Sequence, residues 1–246
     1  MIEIIFIYIF FLFNVFTKND LPDNFNTLPK LKFQKEDSLT ALIKNLKSNP
    51  GVYEQYEKLN LFYSKNYSNL SIKRREEVRD LLNKFGTWHS IQLCDKNEPG
   101  SPLKLTGRII DENNNPVALA KITIYQADVN GSYAPQDATT HGMSENDPRL
   151  YGSILTGKDG NYSLGTIHPG SYPMLYEGRH IPQHIHFNIV AKGYQNQNLQ
   201  IAFDDDPAMK DKHWQDWAKD LKYPVVKLEF KGSIHSSVLN IKLKRV

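Results

Sequence analysis

From Leu103 to the C-terminus the chain is cut by turn residues into short apolar runs, and this restricts what it can fold into more than any other feature. LKLTGRII (103–110), ALAKITIYQA (118–127), HIHFNIVA (184–191), NLQIAF (198–203), VVKLEF (225–230) and SVLNIKLK (237–244) each have the length and the β-branched content of strands. DENNNP (111–116) supplies a turn, and GKDGNYSL (157–164) reads as a hairpin with a glycine at its tip. Short strands at such spacing predict an antiparallel sandwich or barrel. His213 to Leu221 is a candidate helical insertion.

The first hundred residues have a different character. Ile4 to Phe16 is almost wholly apolar, yet shorter than the roughly 20 residues needed to span a bilayer. Residues 1–17 therefore read as a signal peptide or hydrophobic anchor, with a periplasmic, secreted or membrane-anchored location expected and a cytoplasmic one as the alternative. Residues 18–35 carry Pro22 and Pro29 and read as a linker. From 36 to 100 the pattern turns helical: Leu39, Leu42, Ile43 and Leu46 recur at three- and four-residue spacing. Pro50 and Gly51 end that helix, a second covers roughly Val52 to Tyr63, and Ser71 opens a third that ends near Gly86. This extension lacks the residue types of a catalytic site, so packing or homodimerisation is its expected role. Residues 101–246 form the sheet domain.

A net charge of +3 is too small to argue for a nucleic-acid partner. The one dense basic cluster, Lys73-Arg74-Arg75, has no aromatic platform beside it and reads as a solvated helix face. A single cysteine, Cys94, excludes an internal disulfide framework and any multi-cysteine zinc site.

The chemistry concentrates in RHIPQHIHFNI (179–189). Alternation along a strand puts His184 and His186 on one face, with Ile185 opposite. Such a pair occurs in zinc sites, in cupins and in sheets where it binds nothing. The spacing from Gly178 fits the start of a cupin motif, but Val190 and Ala191 stand where its carboxylate would follow. Two tyrosines on loops leaving the same sheet alter the picture: Tyr133, ending VNGSY, and Tyr172, inside HPGSYPM.

Taken in order, LTGRIIDENNNPVALAKITIYQADVNGSY, DPRLYGSILTGKDGNYSLGTIHPGSYP and IPQHIHFNI followed by LQIAFDDDP resemble successive motifs of the intradiol ring-cleavage dioxygenases. The resemblance spans roughly residues 103 to 207. It implies a mainly β fold, an antiparallel, prealbumin-like β-sandwich with an N-terminal helical extension. It further implies that Tyr133, Tyr172, His184 and His186 ligate a non-haem Fe(III), that Tyr172 is the ligand displaced by substrate, and that the partners are an aromatic diol and O2.

That ligand set makes physical sense. A phenol ionises near pH 10, and holding it as phenolate at neutral pH needs a shift of about four units, roughly 5 kcal/mol, which a hard trivalent cation can supply. Two neutral imidazoles add bonds without adding charge. One departure stands out. The family's arginine three residues before the first histidine is replaced by Ile181, and Arg179 is the nearest candidate for its charge-stabilising role. Gln200 falls where the family has a glutamine near the site, although a strand glutamine is ordinarily outward-facing. Asp204 to Asp206 read as a turn, and His141 and His168 as surface histidines.

Two other classes compete. Residues 103–164 alone also fit a transthyretin-like or carboxypeptidase-regulatory-like binding module, which does not explain Tyr172 and H-x-H arriving together. A zinc hydrolase would need a further ligand and a base that the chain does not nominate.

Overall fold

Each N-terminal helix begins where the chain can close a first turn. The computed structural model describes residues 37–135, 143–174 and 178–246. The leader, the linker and His141 lie outside these residues. Asp37 accepts from the Thr40 amide at 2.7 Å and opens α1 (Ser38–Ser48); α2 (Tyr53–Asn66) follows the Pro50-Gly51 break. Ser71 accepts from the Arg74 amide and opens α3 (Ile72–Lys84). Their inner faces, including Leu46, Leu59 and Leu82, join the same apolar cluster as the sheets. The helices are thus part of one core rather than an appendage to it.

The strands follow as β1 (Thr87–Trp88), β2 (Ser90–Gln92), β3 (Pro102–Asp111), β4 (Lys121–Gln126), β5 (Leu150–Leu155), β6 (Asn161–Ile167), β7 (Tyr172–Pro173) and β8 (His180–Ile181). After β9 (His184–Val190) and β10 (Gln197–Phe203) comes the inserted helix α4 (Lys212–Asp220). The chain ends with β11 (Val225–Val226), β12 (Glu229–Lys231), β13 (Ile234–Val238) and β14 (Ile241–Leu243).

Among the described residues, one sheet runs β1-β5-β4-β9-β10-β11 and a second runs β12-β13-β3-β6-β2, with β14 also on β3. Ile122, Ile124, Ile185, Phe187 and Ile201 of the first meet Leu103, Leu105, Ile109 and Leu164 of the second in a solvent-free layer. The β5-β4-β9-β10 centre is antiparallel throughout.

Three expectations change. Strands β1, β2, β11 and β14 pair parallel to their neighbours, and β13 runs parallel to β3 but antiparallel to β12, so the sheets are mixed rather than purely antiparallel. Residues 157–164 are not a hairpin, because β5 and β6 lie in different sheets and the turn passes the chain across the core. Gly160 makes that turn with φ +70°, and a Cβ there would sit 2.3 Å from the Ile109 carbonyl oxygen. The last apolar run splits into β13 and β14, because Leu239 crosses Gly107 so closely that a Cβ would meet its carbonyl oxygen at 1.8 Å.

The basic cluster is a solvated face only in part: Lys73 is exposed, but Arg75 is not. Arg75 is mostly buried, lies over the Tyr67 ring at 4.5 Å, and bonds Asp147 at 2.9 Å. Arg79 also pairs with Asp147, while Tyr63 and Tyr67 donate to the carbonyls of Pro148 and Asp147. The helices thereby grip the segment leading into β5.

Candidate metal centre

The histidine pair sits where the strand pattern puts it. On β9, Ile185 and Phe187 enter the core, while His184 and His186 face the other side and are still only 3% and 4% exposed. His184 Nδ1 lies 2.6 Å from the Pro182 carbonyl oxygen. The carbonyl can only accept, so Nδ1 carries the proton and Nε2 presents its lone pair to the centre. The His186 ring stacks on Tyr125 of β4, its register partner, at 4.2 Å and 7°. On its other flank the partner is Gln200 of β10, so that glutamine shares the histidine face rather than the core face.

The two tyrosines reach this face from adjoining loops. Asp128 accepts from the amides of Asn130 and Ser132, folding the loop that ends at Tyr133, and its carbonyl accepts from the Gly170 amide at 2.8 Å. That last bond ties the Tyr133 loop to the Tyr172 loop. Close approach is essential, since a Cβ on Gly131, which has φ +77°, would lie 2.3 Å from the Ser171 carbonyl oxygen. Arg149 donates from its amide to the Tyr133 carbonyl at 2.8 Å and pairs with Glu98.

Three donor atoms consequently form a near-equilateral triangle. Tyr133 Oη is 2.9 Å from His186 Nε2 and 3.2 Å from His184 Nε2, and the two nitrogens are 3.0 Å apart. The Tyr172 side chain hydrogen-bonds that of Tyr133, with its ring edge-on to the Tyr133 ring at 5.8 Å. First-row metal bonds of about 2.0–2.1 Å meeting at right angles put neighbouring donors about 3 Å apart, so the set fits a single ion.

The surroundings of Tyr133, His184 and His186 favour the neutral form of each. Burial, and then the neighbouring Tyr172, hold the Tyr133 phenol well above its usual range. Burial pushes His184 down, and burial followed by His184 takes His186 down to about 2. A buried group of two phenols and two neutral imidazoles leaves a cation as the species that would ionise the phenols.

Several neighbours carry no local sequence signal. Glu145, on a short 3-10 turn at Met143–Asn146, puts Oε1 3.5 Å from His186 Nε2 and accepts from Tyr125 Oη at 3.4 Å. Both line a cleft of about 240 Å³, together with residues that include Arg79, Asp80 and Tyr151. Burial raises the Glu145 carboxyl above its ordinary value. Asp206 is 3% exposed and accepts from the Gln183 amide at 2.6 Å, beside the first histidine. Arg179 is 42% exposed, with Nε 3.4 Å from Asp211 Oδ2 at the start of α4. His168 is no surface histidine: its side chain is 11% exposed, 4.5 Å from the Phe203 ring and 3.5 Å from Asp205.

Fold and cluster together define a mainly β protein with a buried tyrosine–histidine group suited to ligating a cation. The sequence model described as Dioxygenase matches residues 87–230, and the chain belongs to the intradiol ring-cleavage dioxygenase family. It is 30% identical to catechol 1,2-dioxygenase 2 of Acinetobacter lwoffii over 139 residues, 52% of this chain and 47% of that one. It is 32% identical over 123 residues to hydroxyquinol 1,2-dioxygenase of a Rhizobium species, 45% and 40% of the two chains. The chain spans about half the length of the curated relatives it matches. Catechol 1,2-dioxygenase of an Acinetobacter species, solved with bound mercury, superposes with a TM-score of 0.51 at 21% identity over 84% of this chain and 76% of that one. That likeness speaks to the fold.

Proposed function

We propose that this chain is a non-haem Fe(III) intradiol dioxygenase that inserts both atoms of O2 into a catechol-type diol, opening the ring between the hydroxylated carbons to a muconate-type diacid. Tyr133, Tyr172, His184 and His186 would hold the ion. When bound, it would supply the positive charge that ionises the phenols and the diol and prepares the ring for attack by O2.

The chain's own groups have separable tasks. Tyr133, 1% exposed and central to the cluster, is the fixed phenol. Tyr172 is 8% exposed on a two-residue strand that, among the described residues, pairs with β8, so it is the phenol assigned to leave the ion and take a diol proton on Oη. The neutral imidazoles add no charge, which keeps the total small where an uncompensated charge is costly. The Tyr125 ring, stacked on His186, covers one face of that imidazole and helps to fix its orientation.

The observation that carries this reading is the convergence of Tyr133 Oη with both histidine Nε2 atoms within 2.9–3.2 Å. Its test is oxygen uptake with a panel of diols under 18O-labelled O2. Both labelled atoms should appear in a ring-opened diacid. Iron-loaded protein that consumes no oxygen with any catechol, protocatechuate or hydroxyquinol would overturn it.

A further inference from the structure

The peptide group between Pro182 and Gln183 is held from both ends. Its carbonyl accepts from His184 Nδ1 at 2.6 Å, and its N–H donates to Asp206 Oδ2 at 2.6 Å. The other carboxylate oxygen of Asp206 accepts from the Ala208 amide at 2.9 Å. That second bond is an ordinary cap for the 3-10 turn Pro207–Lys210. Capping does not account for Oδ2, which reaches 23 residues back along the chain to the residue before the first histidine.

We propose that Asp206 is a positioning residue for His184 that acts through this single peptide unit. A carboxylate accepting from an amide N–H draws electron density toward the carbonyl of the same planar group and makes that oxygen a stronger acceptor. The stronger acceptor holds the proton on His184 Nδ1, keeps the Nε2 lone pair aimed at Tyr133 and His186, and raises its donor strength. Metal-bound histidines commonly donate their second nitrogen directly to a carboxylate or a carbonyl. Here the two partners stand in series, with a peptide bond between them. Asp206, at 3% exposure and with both oxygens occupied by backbone amides, has no freedom to turn away. The proposal rests on His184 being a metal ligand.

Two variants separate the relay from the cap. Asp206→Ser keeps a good capping oxygen for Ala208 and cannot also reach Gln183, and Asp206→Asn removes the charge at nearly constant shape. Both are compared with the wild type by melting temperature, by affinity for Fe(III) and for diamagnetic Ga(III), and by nitrogen NMR of the ring tautomers in metal-free protein. In the wild type His184 should be wholly the Nδ1–H tautomer. In the folded variants that tautomer should become mixed, and affinity for both ions should fall by about 10- to 100-fold. Unchanged tautomer and affinity in a folded Asp206→Ser would overturn the relay and leave Asp206 a cap. A wild type that binds neither ion would instead defeat the metal reading, while the tautomer comparison would still decide the relay.

Discussion

Gly131 and Gly170 meet back to back: a Cβ on Gly170 would lie 2.5 Å from the Gly131 nitrogen. Their contact lets the loops ending at Tyr133 and Tyr172 run side by side, so that two phenols leaving different strands reach one point on the sheet. Gly131→Ala adds a side chain at φ +77° and against the Ser171 carbonyl, a strain of about 1–3 kcal/mol. A variant that still folds should lose iron at least tenfold more readily, as read by metal content after dialysis against a chelator. Unaltered retention would mean that the phenols do not depend on this contact.

Glu145 should govern which ring substituents are accepted. Its carboxylate stands 3.5 Å from His186 Nε2 and is 43% exposed, so its effect on a nearby charge is that of a partly solvated pair, up to about 1 kcal/mol. Glu145→Gln is expected to lower KM for a diol bearing a carboxylate by about three- to fivefold relative to an uncharged diol. An unchanged KM ratio between the two substrates would remove Glu145 from substrate selection.

Arg179 is the candidate for stabilising charge on the substrate ring, yet its side chain is exposed and lies against Asp211. An exposed ion pair is worth up to about 1 kcal/mol, so Arg179→Ala should alter turnover less than about fivefold. A larger loss of kcat with unchanged iron content would assign it the family arginine's task.

Asp111 should set part of the acid limit. The Arg245 guanidinium, with help from Asn115 and the amides of Asn113 and Asn115, holds its carboxyl down at about 2. A folded-state value below the unfolded one, near 3.9, means that the contribution is complete above about pH 4 and fades as pH falls toward 2. Asp111→Asn should therefore be less stable at neutral pH, and its melting temperature should fall less steeply than the wild type's between pH 4 and 2. Parallel pH profiles would refute the assignment.

Strand positions and the facing of His184 and His186 were legible because alternation is local. The phenols of Tyr133 and Tyr172 were singled out by the order of the motifs, since a tyrosine framed by Gly and Pro is by itself an ordinary loop aromatic. What stayed hidden depends on partners distant in sequence. Tyr125 looks like any strand tyrosine until β4 pairs with β9, and Glu145 is an ordinary acidic residue until Arg75 and Arg79 fix Asp147 beside it. Asp206 reads as one of three turn aspartates, and only the register of β10 on β9 brings it to Gln183. The mixed sheets have the same cause, since a two- or three-residue edge strand carries no mark of the direction of its neighbour.

The most direct test of the four-ligand centre is the metal content and visible spectrum of aerobically purified protein, wild type beside Tyr133→Phe. A wild type holding about one iron per chain, coloured by tyrosinate-to-iron charge transfer that is lost or strongly shifted in the variant, is the expected result. Colourless, iron-free wild-type protein, or a band indifferent to removal of the Tyr133 hydroxyl, would contradict it.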